Sequence, residues 1–256
     1  MVKGGKQDVD MIQAYFDNAR RIMDQVLETQ KDKLFAAAEK LCEASLTGHN
    51  IFAFGCSHAA LVMLELYYRS GGMATINPLR APGLCLDIDP ATMTSQMERL
   101  PDYGRVIIDH SPLKEGDVII IHSVSGRNPV TVDVAIRARE KGAYVIALTN
   151  MTTSAAVQSR HASGLNLYQA ADLVLDNCGQ FGDASLAVEG LPQKVAPTST
   201  VVGAAMLNAV MAQAVQLIQE KGEAAPVFLS ANVEGGEKHN QQVLEKYGQH
   251  IFYMGH

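Results

Sequence analysis

Two periodicities alternate along this chain. From residue 9 to about residue 46, apolar side chains recur at helical spacing (Met11, Ile12, Tyr15, Phe16, Ala19, Ile22, Met23, Val26, Leu27) with charged residues between them. This predicts one long helix, or two, closed by Gly48. Short apolar runs follow at residues 51–54, 118–121, 144–148 and 173–175. Runs without polar alternation suit strands buried on both faces of a parallel sheet. Between them the spacing returns to helical. Residues 58–70 are apolar nearly all round, which predicts a buried helix. Asn128 with Pro129 opens another helix, by capping and by filling the first helical position, and Gly142 ends it. A short strand is expected at 74–76 and two short helices near 92–100 and 102–108. A polar, glycine-rich loop with Asp183 and Glu189 covers 177–190. A helix rich in small residues runs over 201–221, and a polar tail ends with a helix near 241–247. Strand alternating with helix predicts a doubly wound α/β sheet, whose ligands bind at the carboxyl ends of the strands.

Hydroxyl groups gather where those ligands would sit. Ser123, Ser125 and Gly126 form the turn out of the 118–121 run, and Thr198, Ser199 and Thr200 open the helix at 201. Helix amino termini carry free N–H groups and a positive dipole end, so added hydroxyl donors suit a phosphate. The plainer reading is that these residues satisfy a turn and a cap. A second pattern lies on the 58–70 helix, where His58, Glu65 and Arg69 fall within about 40° of one another. An i,i+4 Glu-to-Arg pair would explain it, with His58 as a cap. The alternative places Glu65 in a pocket as a general base whose pKa is raised by burial.

Composition narrows the class. The 256 residues are 47% hydrophobic and 19% charged with a net charge of −6, which fits a globular protein and argues against a nucleic-acid partner. Cys42, Cys56, Cys85 and Cys178 are widely spaced, so neither a disulfide framework nor a zinc site is expected, and reduced thiols fit a cytoplasmic location. The opening segment Met1-Val2-Lys3-Gly4-Gly5-Lys6-Gln7-Asp8 has no apolar core, and no export or membrane partner is expected. No Gly-x-Gly-x-x-Gly follows the first strand and no Walker or nucleophile-elbow motif occurs, so no cofactor is expected. Histidines 58, 110, 122 and 239 have no metal-ligand spacing.

Ser123-Val124-Ser125-Gly126-Arg127-Asn128 after a buried run resembles the phosphosugar loop of the sugar isomerase (SIS) domain family, Ser-x-Ser-Gly-x-Thr/Ser. Thr198-Ser199-Thr200 resembles that family's later hydroxyl cluster, and Gly55-Cys56-Ser57-His58-Ala59 its first glycine-rich loop. The chain is most similar to bacterial single-domain members related to phosphoheptose isomerase. The resemblance implies one domain over 1–256: a helical segment at 8–47, an α/β core at about 48–221 and a tail at 222–256. It implies a three-layer sandwich on a five-stranded parallel sheet of flavodoxin-like order, and a homodimer or homotetramer. A phosphorylated sugar would be held by Ser57, Ser123, Ser125, Gly126, Arg127, Asn128, Thr198, Ser199 and Thr200. An aldose/ketose isomerase would work through an enediol, with Glu65 as base, His58 or His239 as acid and Glu189 as an alternative base. The other outcomes it implies are a lyase resembling N-acetylmuramic acid 6-phosphate etherase and a non-catalytic phosphosugar sensor. Two positions depart from the family pattern: Ala59 replaces a serine of the first loop, and Asn128 replaces the threonine.

Overall fold

The first helix, α1 (Met11–Leu46), is one unbroken rod of 36 residues. Asp10 starts it by accepting from the amides of Ile12 and Gln13 at 3.0 and 3.1 Å. Gly48, at φ +74°, takes the chain out of it. The computed structural model describes residues 10–254; the opening segment 1–8 and Val9, where the expected helix began, lie outside the described residues.

The chain continues as β1 (Ile51–Gly55), α2 (Ala59–Leu66), β2 (Ile76–Pro78), α3 (Met93–Met97), α4 (Tyr103–Asp109) and β3 (Val118–His122). After these come α5 (Pro129–Glu140), β4 (Tyr144–Thr149), α6 (Met151–Ser154) and β5 (Leu173–Asp176). A hairpin of β6 (Ala184–Leu186) and β7 (Val195–Pro197) leads to α7 (Ser199–Glu220) and α8 (Gly236–Tyr247).

Five strands form one sheet in the order β2-β1-β3-β4-β5. Every pairing in it is parallel, the flavodoxin-like order. Side-chain alternation along β3 builds two cores. Val118 and Ile120 join α1, α2 and α7 on one face, while Ile119 and Ile121 join α4 and α5 on the other. The helices after β1 and β3 therefore leave on opposite faces, so the fold's switch point lies between these two strands. Register aligns Gly55 with His122 and His122 with Leu148, which brings the turns after β1, β3 and β4 out at one level.

The base of the same strands is pinned by Asp117. This fully buried carboxylate accepts from the Asn50 and Lys114 amides at 2.8 and 2.9 Å and from Asn50 Nδ2.

Three local expectations need correction. The helix after β1 ends at Leu66, short of 70, because Tyr67 is extended and Tyr68 takes φ +46°. His58 and Arg69 thus flank the helix and do not share a stripe on it. The strand expected at 74–76 is displaced to Ile76–Pro78. The 177–190 stretch, read as a loop, contains β6, which pairs with β7 just beyond it as a hairpin. Helix α7 is long and apolar enough by composition to cross a membrane, but here its apolar face packs on α1, α2 and the sheet.

Candidate functional site

The turn after β3 is shaped by its own glycine and serines. Gly126 takes φ +59°, and a Cβ there would lie 2.9 Å from the Leu167 side chain and 3.1 Å from Ser154 Oγ, so only glycine fits without movement. Ser123 Oγ accepts from the Gly126 amide at 3.2 Å. Thr149 on β4 donates to the Ser123 carbonyl at 2.7 Å, tying the turn to the next strand. Ser125 and Arg127 are half-buried on this turn. Asn128 stands at the α5 amino terminus, but its side chain does not cap the helix: its Oδ1 accepts from Arg160 Nη1 at 2.9 Å. The expected cap is therefore replaced by a link to the loop before β5, and the α5 N–H groups are left to other acceptors.

Across the switch point, Ser57 sits in the left-handed region at φ +53° and donates its amide to the Leu84 carbonyl at 2.7 Å. His58 is exposed at the start of α2 and makes no side-chain capping bond. Ser57 is thereby held at the mouth of the turn from β1, level with the turn from β3.

Behind these turns lie groups that the sequence did not single out. His122 ends β3 with 2% exposure. Its Nδ1 lies 3.1 Å from the Ala59 carbonyl, which can only accept, so the proton is on Nδ1 and Nε2 is a bare acceptor. Nε2 is buried and has no partner. Burial pulls this imidazole below its ordinary pKa, against the opposing pulls of the Ala59 carbonyl and of Asp183, and so holds it neutral.

Asp183, at φ +70°, places its carboxylate on the α7 amino terminus. It accepts from the Thr198 and Ser199 amides at 3.1 and 2.8 Å and from Ser199 Oγ at 2.6 Å. The hydroxyl cluster is thus occupied in part by the protein's own anion. Thr198 Oγ1 stays buried without a partner, in a residue of 0% exposure, and Thr200 is half-buried two residues on, in the first turn of α7. Asn150 Nδ2 donates to Asn177 Oδ1 at 3.0 Å between the ends of β4 and β5, and Asn177 Nδ2 is buried without a partner. Buried polar atoms without partners are few in folded proteins and mark places where a ligand or water completes the set. The signal in the sequence was thin: His122 closes an apolar run, and Asp183 sits in a polar, glycine-rich loop to which no role was given.

Glu65 and His239 have local partners of their own. Glu65 is half-buried in the last turn of α2, ion-paired with Arg69 and accepting from Asn208 Nδ2 on α7 at 3.1 Å. The i,i+4 pair is thus formed. His239 is exposed on α8, its ring bonded to the Val227 carbonyl at 2.9 Å. Glu189 is exposed between β6 and β7. No hydrogen bond or ion pair joins Glu65 to His58 or His239 among the described residues. Nor do three His, Cys, Asp or Glu side chains group there as metal ligands would. A cavity of about 760 Å³ lies apart from the turns, under the β2–α4 insertion, with Phe52, Arg80, Tyr103, His110 and Tyr253 in its walls.

The family model described as the SIS domain matches residues 14–150, which include α1, β1, β3, the serine turn and β4. The chain belongs to the SIS-domain family. Within it, the chain is 42% identical over 243 residues to the UPF0309 protein of Shouchella clausii, covering 95% of this chain and 99% of that one. It is 43% identical over 241 residues to the UPF0309 protein of Geobacillus thermodenitrificans, covering 94% and 96%. Among solved structures, a phosphoheptose isomerase from Francisella tularensis superposes with a TM-score of 0.55 at 12% identity, over 82% of this chain and 100% of that one. That likeness is one of fold.

Proposed function

We propose that this SIS-domain protein binds a phosphorylated sugar at the switch point of its sheet and interconverts its aldose and ketose forms. The observation that carries the reading is the serine turn itself. It joins the carboxyl end of β3 to the amino terminus of α5, whose side-chain cap is missing, level with Ser57. Phosphate oxygens would take the Ser123, Ser125, Gly126, Arg127 and Asn128 donors there, with Ser57 opposite and Thr198, Ser199 and Thr200 on the second helix end. The fold shared with a phosphoheptose isomerase supports the same chemistry.

In this reading Glu65 carries the proton between adjacent sugar carbons and His58 or His239 assists ring opening, with Glu189 as the alternative base. The protein acts as a homodimer or homotetramer in the cytoplasm.

The test is proton exchange. Incubated in heavy water with aldose and ketose phosphates, the protein should place deuterium at C2 of one of them, and Glu65→Gln should abolish it. Binding without exchange would make the protein a sensor, and lactate release from N-acetylmuramic acid 6-phosphate would make it a lyase. Ser125→Ala should weaken sugar-phosphate binding by about 1–3 kcal/mol, read by calorimetry. Unchanged affinity in a folded variant rejects Ser125 as a phosphate donor.

A further inference from the structure

Arginines in this protein are mostly spoken for. Arg20, Arg69, Arg105, Arg137 and Arg139 each hold a carboxylate, and Arg80 lies over the Tyr67 ring. Three others behave differently, and they meet at one place. Arg127 is on the serine turn. Arg160 donates its amide to the Arg127 carbonyl at 2.8 Å and its guanidinium to Asn128. Arg99 follows Glu98, whose carbonyl accepts from the Val130 amide in the first turn of α5 at 3.3 Å. Three separate segments thus converge on the α5 amino terminus, each bringing a guanidinium.

Among the described residues none of the three makes an ion pair, and Arg127 Nε is buried with no partner at all. The carboxylates nearby offset them only in part. Burial pushes Glu98 up from its ordinary pKa, against the opposing pulls of its bond to Asn128 and of the Arg99 and Arg160 charges. Asp133, on the next turn of α5, is engaged by His161 Nε2 at 2.9 Å. The proximity is felt within the cluster: burial first, then the Arg127 and Arg99 charges, hold Arg160 below the usual guanidinium value. Against these three guanidinium groups stands the Glu98 carboxylate, whose charge is felt at Arg99 and Arg160. Like charges gathered with so little compensation cost free energy.

We propose that Arg99 and Arg160, with Arg127 shared between the two groups, form a second anion subsite beside the serine turn, so that the sugar taken by this protein carries a second phosphate or a carboxylate besides the phosphate on Ser123–Asn128. Guanidinium forks suit either group, since both present two coplanar or near-coplanar oxygens to paired N–H donors. The inference rests on the phosphosugar reading and sharpens it to a doubly anionic substrate class.

Calorimetric titration of the full chain with fructose 6-phosphate, fructose 1,6-bisphosphate and 6-phosphogluconate tests it at one fixed salt concentration. At least one of the last two should bind about tenfold or more tighter than fructose 6-phosphate. Which of them leads distinguishes phosphate from carboxylate. In Arg99→Gln/Arg160→Gln that ratio should fall below about threefold, while Arg139→Gln, paired with Asp172 on the far end of α5, should keep it. Arg99 and Arg160 are exposed, so the double variant is expected to fold, and its thermal transition checks this. Equal affinities in the wild type, or a ratio that survives in the double variant, overturn the second subsite and leave the phosphosugar reading standing. Binding of none of the three overturns that reading, and the subsite with it.

Discussion

A neutral histidine sealed behind a polar turn makes stability depend on pH. His122 has a folded-state pKa depressed by burial, whereas in the unfolded chain it titrates near its ordinary value, about 6.5. Below that value the unfolded state binds the proton and the folded state does not, so stability is lost as pH falls from about 6.5 towards the folded value. His250 is also depressed, by burial first, and adds in the same sense. We expect the urea midpoint to drop between pH 7 and pH 5.5, and His122→Asn to reduce that slope without removing it. An identical slope in the variant would mean that His122 takes up its proton in the folded state. Nothing in the sequence separated this histidine from the seven others, because its distinction is where β3 ends relative to the first turn of α2. Asp183 is the same kind of case: a loop aspartate becomes the acceptor for three donors on α7 only once the β6–β7 hairpin turns it back.

At the scale of elements, the chain was most legible where periodicity was long or apolar runs were unbroken. α1, β1, β3, α5, β4, β5 and α7 fall close to their expected places, since both faces of the sheet are covered and each buried strand must be apolar throughout. The hairpin was missed because strands of three residues show no period. α2 was drawn too long because Tyr67 and Tyr68 extend its apolar pattern while their backbone leaves the helix. Contacts between elements were not legible at all. Gly104 reads as an indifferent residue of α4, yet a Cβ there would lie 2.3 Å from the Val130 carbonyl and 2.5 Å from Asp133 Cβ. Gly104→Ala must therefore push α4 off α5, and we expect a loss of about 1–3 kcal/mol in denaturant unfolding. Since α5 begins at the serine turn, sugar-phosphate affinity should fall in the same variant. Retained stability would show that the two helices can slide apart freely.

For the whole molecule, the resemblance of the serine motif led to the right family and sheet order, while the parts of the site that come from distant segments stayed hidden. Arg99 and Arg160 lie on either side of Asn128 in sequence and come together only through the segment after α3 and the loop before β5. Assembly is the other property at this scale. Along α1, Ile12, Phe16 and Leu27 remain 74%, 55% and 59% exposed, and they fall within about 60° of one another around the helix. A stripe of that size is unusual on a monomer. Sedimentation should give a dimer or tetramer, and Phe16→Glu/Leu27→Glu should shift it to the monomer; a monomeric wild type would leave the stripe without a partner copy.

The opening turns of α1 reach further than the stripe itself. Tyr15, between Ile12 and Phe16 on the rod, donates its hydroxyl to the Pro197 carbonyl at 3.0 Å, one residue before Thr198. A neighbour leaning on Ile12 and Phe16 would press, through a single phenol, on the residues from which α7 sets out, and assembly would then be felt at the proposed sugar-phosphate cradle.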